Sequence, residues 1–191
     1  MKHLPLLGLV ATLLVAAPVT SSAAIIAFDL VGTAGVGLLP GNEPGSITGG
    51  TGGEIGAGIT FDDLTKFLTI NVGWGSSQGF TDLSSAVNNS NLHGPTGSNN
   101  GLGFTQTAGV LAGLTRSGNL ATGGTISQSV ALNATNEAAL FAGKLYINIH
   151  TVNNGGGEMR GFIVQAVPEP SRALLSALGF GLLISRRRRQ V

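Results

Sequence analysis

Apolar and polar residues alternate with period two through several short runs of the chain, and glycine, serine, threonine or asparagine punctuates each run. Ile26, Phe28 and Leu30 form the apolar side of a first run, and Leu68, Ile70, Val72 and Trp74 form another, with Thr69 and Asn71 turned away. Ile126, Val130 and Leu132 repeat the pattern, as do Leu145, Ile147 and Ile149. A strand with one buried face gives this alternation, because successive side chains point to opposite sides of a sheet. Short strands divided by Gly-rich turns predict an all-β domain, a sandwich or a barrel. One helical turn is predicted at residues 136–142, with Thr135 as N-cap, Glu137 in the first turn and Gly143 as the C′ stop. Residues 32–58 are so rich in Gly and Pro that they read as a long loop with room for one strand.

The last hairpin is predicted in more detail. Residues 146–150 face residues 158–163 across a turn at 151–157. Ile147 and Ile149 share a side with Met159 and Ile163 only if paired residues have an even index sum, since a slip of one position would send an apolar set into water. That parity gathers Tyr146, Asn148 and His150 on one face with Glu158, Arg160 and Phe162. His150 opposite Glu158, with Asn148 opposite Arg160, is one allowed register.

Both ends of the chain depart from this pattern. Met1-Lys2-His3, an apolar stretch at residues 4–19 and Ser21-Ser22-Ala23-Ala24 follow the grammar of a secretory signal peptide. Cleavage after Ala23 or Ala24 would leave a mature start near Ile25, with the Sec translocon and signal peptidase as the partners that handle this end. At the other end Val167-Pro168-Glu169-Pro170 stops the β pattern, because proline cannot continue a sheet ladder or a helix interior. An uncharged apolar segment at residues 173–185 follows, and then Arg186, Arg187, Arg188 and Arg189. A spanning helix needs about 20 apolar residues, so this segment suits a temporary anchor, with the arginines held on the cytoplasmic side. The expected division is a signal peptide at 1–24 (a signal helix), a β domain at 25–166, and a tail with an apolar anchor helix at 167–191.

Charge changes meaning once the ends are set aside. The whole chain carries a formal +1, but Lys2, Arg172 and the four terminal arginines lie in the end segments. The body keeps Lys66, Arg116, Lys144 and Arg160 against eight acids, 4 − 8 = −4. An acidic, charge-poor body with no basic stripe argues against nucleic acid as a partner. The chain has no cysteine, which excludes disulfides, thiol catalysis and thiolate zinc sites. Serines are many, but no Gly-x-Ser-x-Gly elbow accompanies them. Asp62-Asp63 reads as turn chemistry, and the glycine runs at 49–53 and 155–157 read as flexible turns, because neither opens a helix or precedes a P-loop lysine. No catalytic residue, metal ligand set or cofactor is assigned on these grounds.

Two motifs carry resemblances. The order Pro168-Glu169-Pro170, apolar segment, arginine cluster resembles the PEP-CTERM sorting signal of Gram-negative bacteria. That likeness implies an exported protein held briefly in the inner membrane and cleaved near the motif by an exosortase. It also implies a place at the cell surface or in the extracellular matrix, with exopolysaccharide, biofilm or another surface protein as associates. Tyr146-x-Asn148-x-His150-Thr151 followed by Gly157-Glu158-x-Arg160-Gly161 resembles the closing signature of the CHRD (chordin-like) domain, and Leu140-x-x-Gly143 leads into it. An upstream His-x-His-Gly-Pro element is matched in part by Asn91-Leu92-His93-Gly94-Pro95. This resemblance spans about residues 25–165 and implies an immunoglobulin-like antiparallel β-sandwich without enzymatic activity.

The signature residues His93, Gly94, Pro95, Tyr146, Asn148, His150, Glu158, Arg160 and Gly161 are then expected to build structure. Arg160 would bridge a carboxylate and satisfy loop carbonyls, and His93-Gly94-Pro95 would be a turn held by the imidazole. The family's His-x-His is similar to the copper-ligating strand of Cu/Zn superoxide dismutases, which gives a second reading: a small metal-binding protein using His93 and His150. Asn91 stands where the first histidine would be, and copper or zinc chemistry asks for three or four ligands.

Overall fold

The alternating runs become strands. The computed structural model describes residues 24–97, 104–118 and 120–167. Within them one curled antiparallel sheet contains β1 (Ile25–Gly32), β2 (Gly35–Val36), β3 (Gly52–Asp62), β4 (Phe67–Trp74), β5 (Val87–His93), β6 (Val110–Gly113), β7 (Arg116–Ser117), β8 (Gly124–Ala131), β9 (Tyr146–Thr151) and β10 (Met159–Gln165). A helix, α1 (Ala134–Phe141), connects β8 to β9. The strand order is β6-β5-β9-β10-β1-β3-β4-β8-β7, with β2 beside β1. The two edge strands β6 and β7 are consecutive in the chain, separated by Leu114 and Thr115. Leu114 N donates to Ser90 O at one border of the sheet, and Thr115 N donates to Gln128 Oε1 at the other. One short segment therefore serves both borders and holds the sheet curled, leaving little unpaired edge.

The concave side is the core. Leu30, Phe61, Leu68, Ile70, Val72, Trp74, Ile126, Ile147, Ile149, Met159 and Ile163 are all buried there, on the positions the alternation selects. Fully burying one such side chain stabilises by roughly 1.5–3 kcal/mol, so a one-residue slip in any of these strands is unaffordable. The last hairpin takes the even-sum register: Met159 pairs with Ile149, Arg160 with Asn148, Gly161 with Ile147 and Phe162 with Tyr146. Asp62 Oδ1 accepts from Leu64 N and Thr65 N, so Asp62-Asp63 does open the β3–β4 turn.

The structure corrects the expectations in several places. The helix starts earlier than residue 136, and its N-cap is Asn133, whose side chain accepts from Asn136 N at 2.9 Å; Thr135 lies inside the first turn. Glu137 is in the first turn as expected, and Gly143 at φ 63° is the left-handed stop. Residues 32–58 contain more order than a loop: besides β2 and a 3-10 turn at Pro40–Asn42, they include the first half of β3. Gly52 and Gly53 belong to that strand and not to a flexible turn. A Cβ on Gly52 would stand 2.6 Å from Gly73 O, so strand contact and not turning is what this glycine serves. β9 breaks the one-sided pattern, since every residue from Tyr146 to Thr151 is buried. Among the described residues no helix is long and apolar enough to cross a membrane. Residues 1–23 of the signal segment, Pro168-Glu169-Pro170, the apolar stretch and Arg186 to Arg189 lie outside the described residues, while Val167 at their border is 84% exposed.

Candidate functional site

Most of the signature residues meet on the face of β5, β9 and β10 that is turned away from the core. The register arranges them as a lattice. His93, Tyr146 and Phe162 are cross-strand neighbours in one row, and Asn91, Asn148 and Arg160 in the next. His150, opposite Asn89, begins a third. Loops cover this lattice, so His93, Tyr146, Asn148, His150, Arg160 and Phe162 are all buried.

Arg160 is its centre. The side chain is wholly buried; its Nε donates to Asn42 O at 2.6 Å and its Nη1 to Gln106 O at 3.1 Å. The guanidinium lies over the rings of Tyr146 (5.1 Å) and Phe162 (5.7 Å), a placement favoured by the negative faces of the rings. Its carboxylate partner is Glu43, with Nε to Oε2 at 3.6 Å. The backbone joins in: Leu39 and Arg160 exchange N–H···O bonds, and Asn42 Nδ2 donates to Arg160 O at 2.9 Å. Arg160 thus straps residues 39–43 and the segment around Gln106 onto the sheet.

Burial pushes the Glu43 carboxyl up to about 7, against the pull of Arg160. Burial also draws Arg160 below its ordinary value, with Glu43 opposing it. Glu43 Oε1 and Asn148 Oδ1, both without a hydrogen-bond partner, press on the side of Gly157 where a Cβ would stand. Gly157 has φ 130°, so glycine is required there twice over, by conformation and by space.

The two histidines are neutral by environment. His93 Nδ1 is 2.9 Å from Ala108 O and His150 Nδ1 is 3.0 Å from Gly155 O, which assigns the proton to Nδ1 in both. Burial holds both below the usual imidazole value, and the bonds to backbone carbonyls only partly offset it. His93 stacks on Tyr146 at 4.8 Å and stands 5.9 Å from His150. Asn91 Nδ2 faces His150 Nε2 at 3.3 Å, so the residue that replaces the first histidine of the motif supports the last one. His93 Nε2 has no partner. Among the described residues no group of three or more His, Cys, Asp and Glu side chains could hold a metal ion.

Glu158 belongs to a separate network. Its carboxylate accepts from Gly50 N, Ser84 N, Ser84 Oγ, Thr151 Oγ1 and Asn154 Nδ2 at 2.5–3.1 Å. Burial raises this carboxyl, but the hydrogen bonds from Ser84, Gly50 and Thr151 together outweigh it and hold the group below its ordinary value. The sequence places Glu158 and Arg160 as neighbours, and the structure sends them to different loops. Gly161 lies on the core side, where a Cβ would stand 2.7 Å from Gly37 O. Gly94 and Pro95 follow His93 through a cis peptide, with Thr96 N donating to Lys144 O.

Asn42, Glu43 and Gln106 escape a reading of the strands, since they lie in loops distant in sequence from their partners. One signal does exist: Glu43 is the only charged residue between Asp29 and Glu54. A lone acid in a Gly-, Pro- and Leu-rich stretch asks for a buried cation, and Arg160 is that cation.

The CHRD domain family model matches residues 37–163, and the chain belongs to that family. The match takes in the Leu39–Glu43 strap as well as the β9–β10 signature. No curated protein and no solved structure matches the chain.

Proposed function

We propose that this chain is an exported, non-enzymatic CHRD module that acts at the cell surface or in the extracellular matrix. The observation that carries this is how the signature is used: Tyr146, Asn148, His150 and Arg160 are buried and committed to one another or to loop backbone. A reactive site needs groups within reach of a substrate, whereas these brace loops 39–43, 104–108 and 155–157 on the sheet. In this reading the curled sheet is an immunoglobulin-like sandwich whose outward loops and strand faces meet the partner, an exopolysaccharide or another surface protein. The tail is a PEP-CTERM signal: residues 173–185 hold the protein in the inner membrane until an exosortase cleaves near Val167-Pro168-Glu169-Pro170.

Replacing Pro168-Glu169-Pro170 by Ala-Ala-Ala in a host with its exosortase should leave uncleaved protein in the inner membrane. Arrival of the variant at the surface or in the medium at normal processed mass sinks the sorting reading. The second reading, a metal protein using His93 and His150, is favoured by the 5.9 Å approach of the two rings and the unpartnered His93 Nε2. Metal analysis of the purified protein decides: stoichiometric copper or zinc, lost in His93→Ala and His150→Ala, would replace the first reading with the second.

A further inference from the structure

We propose that the end of the molecule carrying Ile25 and Val167 is its membrane-facing surface, and that the apolar side chains exposed around these positions rest on lipid while the chain is anchored. The proposal deepens the reading above and rests on residues 173–185 entering the membrane.

The first observation is where the chain enters and leaves the fold. β1 and β10 are antiparallel neighbours, Phe28 pairs with Gln165, and Ala166 N donates to Ala27 O at 3.0 Å. Both exits therefore leave side by side from one end. The signal segment and the tail present the same end of the body to the bilayer, before and after signal cleavage.

The second is what surrounds the exits. Ile25 is opposite Asp62, and Asp62 is opposite Phe67, so the β3–β4 turn sits beside the start of β1. Leu64 projects from that turn, and Lys66 fastens it to α1 through Glu137 at 2.7 Å. Ile25, Leu64, Phe67, Phe141 and Val167 are exposed by 64, 68, 43, 40 and 84%. A shallow groove of about 400 Å³ runs between β1 and the end of β10, lined by Ile25, Ile26, Ala27, Gln165 and Ala166. Val36 in β2, and Leu120 and Val152 in two separate loops, are exposed at the opposite end. Apolar residues scattered singly need no explanation, but a group of them around the exits does.

The third is reach. Val167 is six residues from Ala173, and Ile25 is six from Val19. At about 3.5 Å per residue each tether spans at most about 20 Å. The headgroup layer takes up roughly 5–7 Å of that. The end with the exits is thus kept within a short distance of the lipid, and its apolar side chains are what it offers there.

The chain has no cysteine, so single-cysteine variants of the full chain report one position at a time. Leu64→Cys and Phe67→Cys, with Val36→Cys and Val152→Cys at the far end and Leu178→Cys in the tail, would carry a polarity-sensitive fluorophore. The probe is a vesicle of phosphatidylethanolamine and phosphatidylglycerol containing a nitroxide-labelled lipid. The expected result is blue-shifted, quenched emission at positions 64, 67 and 178, and neither at 36 and 152. Quenching at 178 with none at 64 and 67, or with equal quenching at the far end, overturns the proposed orientation while leaving the anchor intact. No quenching at 178 removes the anchor reading and the proposal with it.

Discussion

β4 and β9 are both central strands, yet they are buried in different ways. Along β4 the core residues Leu68, Ile70 and Val72 alternate with the partly exposed Thr69 and Asn71, whose side chains meet Ser129 and Ser127 of β8 at 2.8 Å near solvent. Along β9 the core residues Ile147 and Ile149 alternate with Asn148 and His150, which are also buried because loops close over them. Identical periodicity thus supports two environments. A polar side chain facing water exchanges one set of hydrogen bonds for another at little net gain, whereas a buried one costs free energy unless its partners are in place. The signature residues of the family lie on the half of the sheet where that requirement is strict.

The comparison breaks first at Arg160. Arg160→Ala leaves Glu43 and two loop carbonyls without their partner, and a loss of about 3–5 kcal/mol is expected in urea unfolding. A cost no greater than that of a solvent-side serine would mean the loops are not held by this residue. Next comes Glu43, whose folded-state value of about 7 lies above the ordinary 4.5. Its contribution to stability is full below about pH 4.5 and is lost as pH rises through 7, because the folded state must then give up a proton it holds tightly. Glu43→Gln removes that loss, so relative to the parent it should gain on the order of 3 kcal/mol between pH 5 and pH 8. His93 and His150, held below their ordinary value, act in the opposite sense and lose their contribution as pH falls. A pH-independent difference between parent and Glu43→Gln would show that Glu43 does not titrate in this range.

Tyr146→Phe sharpens the contrast by a smaller step. The hydroxyl accepts from Ala108 N at 3.1 Å and donates to Ala108 O at 3.4 Å, and its removal should cost about 1 kcal/mol in thermal unfolding. Ser129→Ala, which deletes the exposed partner of Thr69, should change stability by less than about 0.5 kcal/mol. Equal effects at Tyr146 and Ser129 would erase the distinction between the two halves.

Alternation by itself determined the β class, the core residues of β1, β4, β8 and β9, and the even-sum parity of the last hairpin, because a period-two pattern with an apolar core face admits no slip of one residue. Which even-sum register forms was left open, and the structure pairs Arg160 with Asn148. That parity puts Asn148, Arg160, Tyr146 and Phe162 on one face before any loop is placed. The sequence also carried the family signature, whose residues are close in the chain. Only the tertiary structure decided what covers the lattice: Asn42 and Glu43 reach Arg160 across 118 and 117 positions, and loop closure over such distances leaves no local periodicity. It also decided that Glu158 and Arg160, two residues apart, serve different loops, and that the chain's entry and exit emerge together at one end.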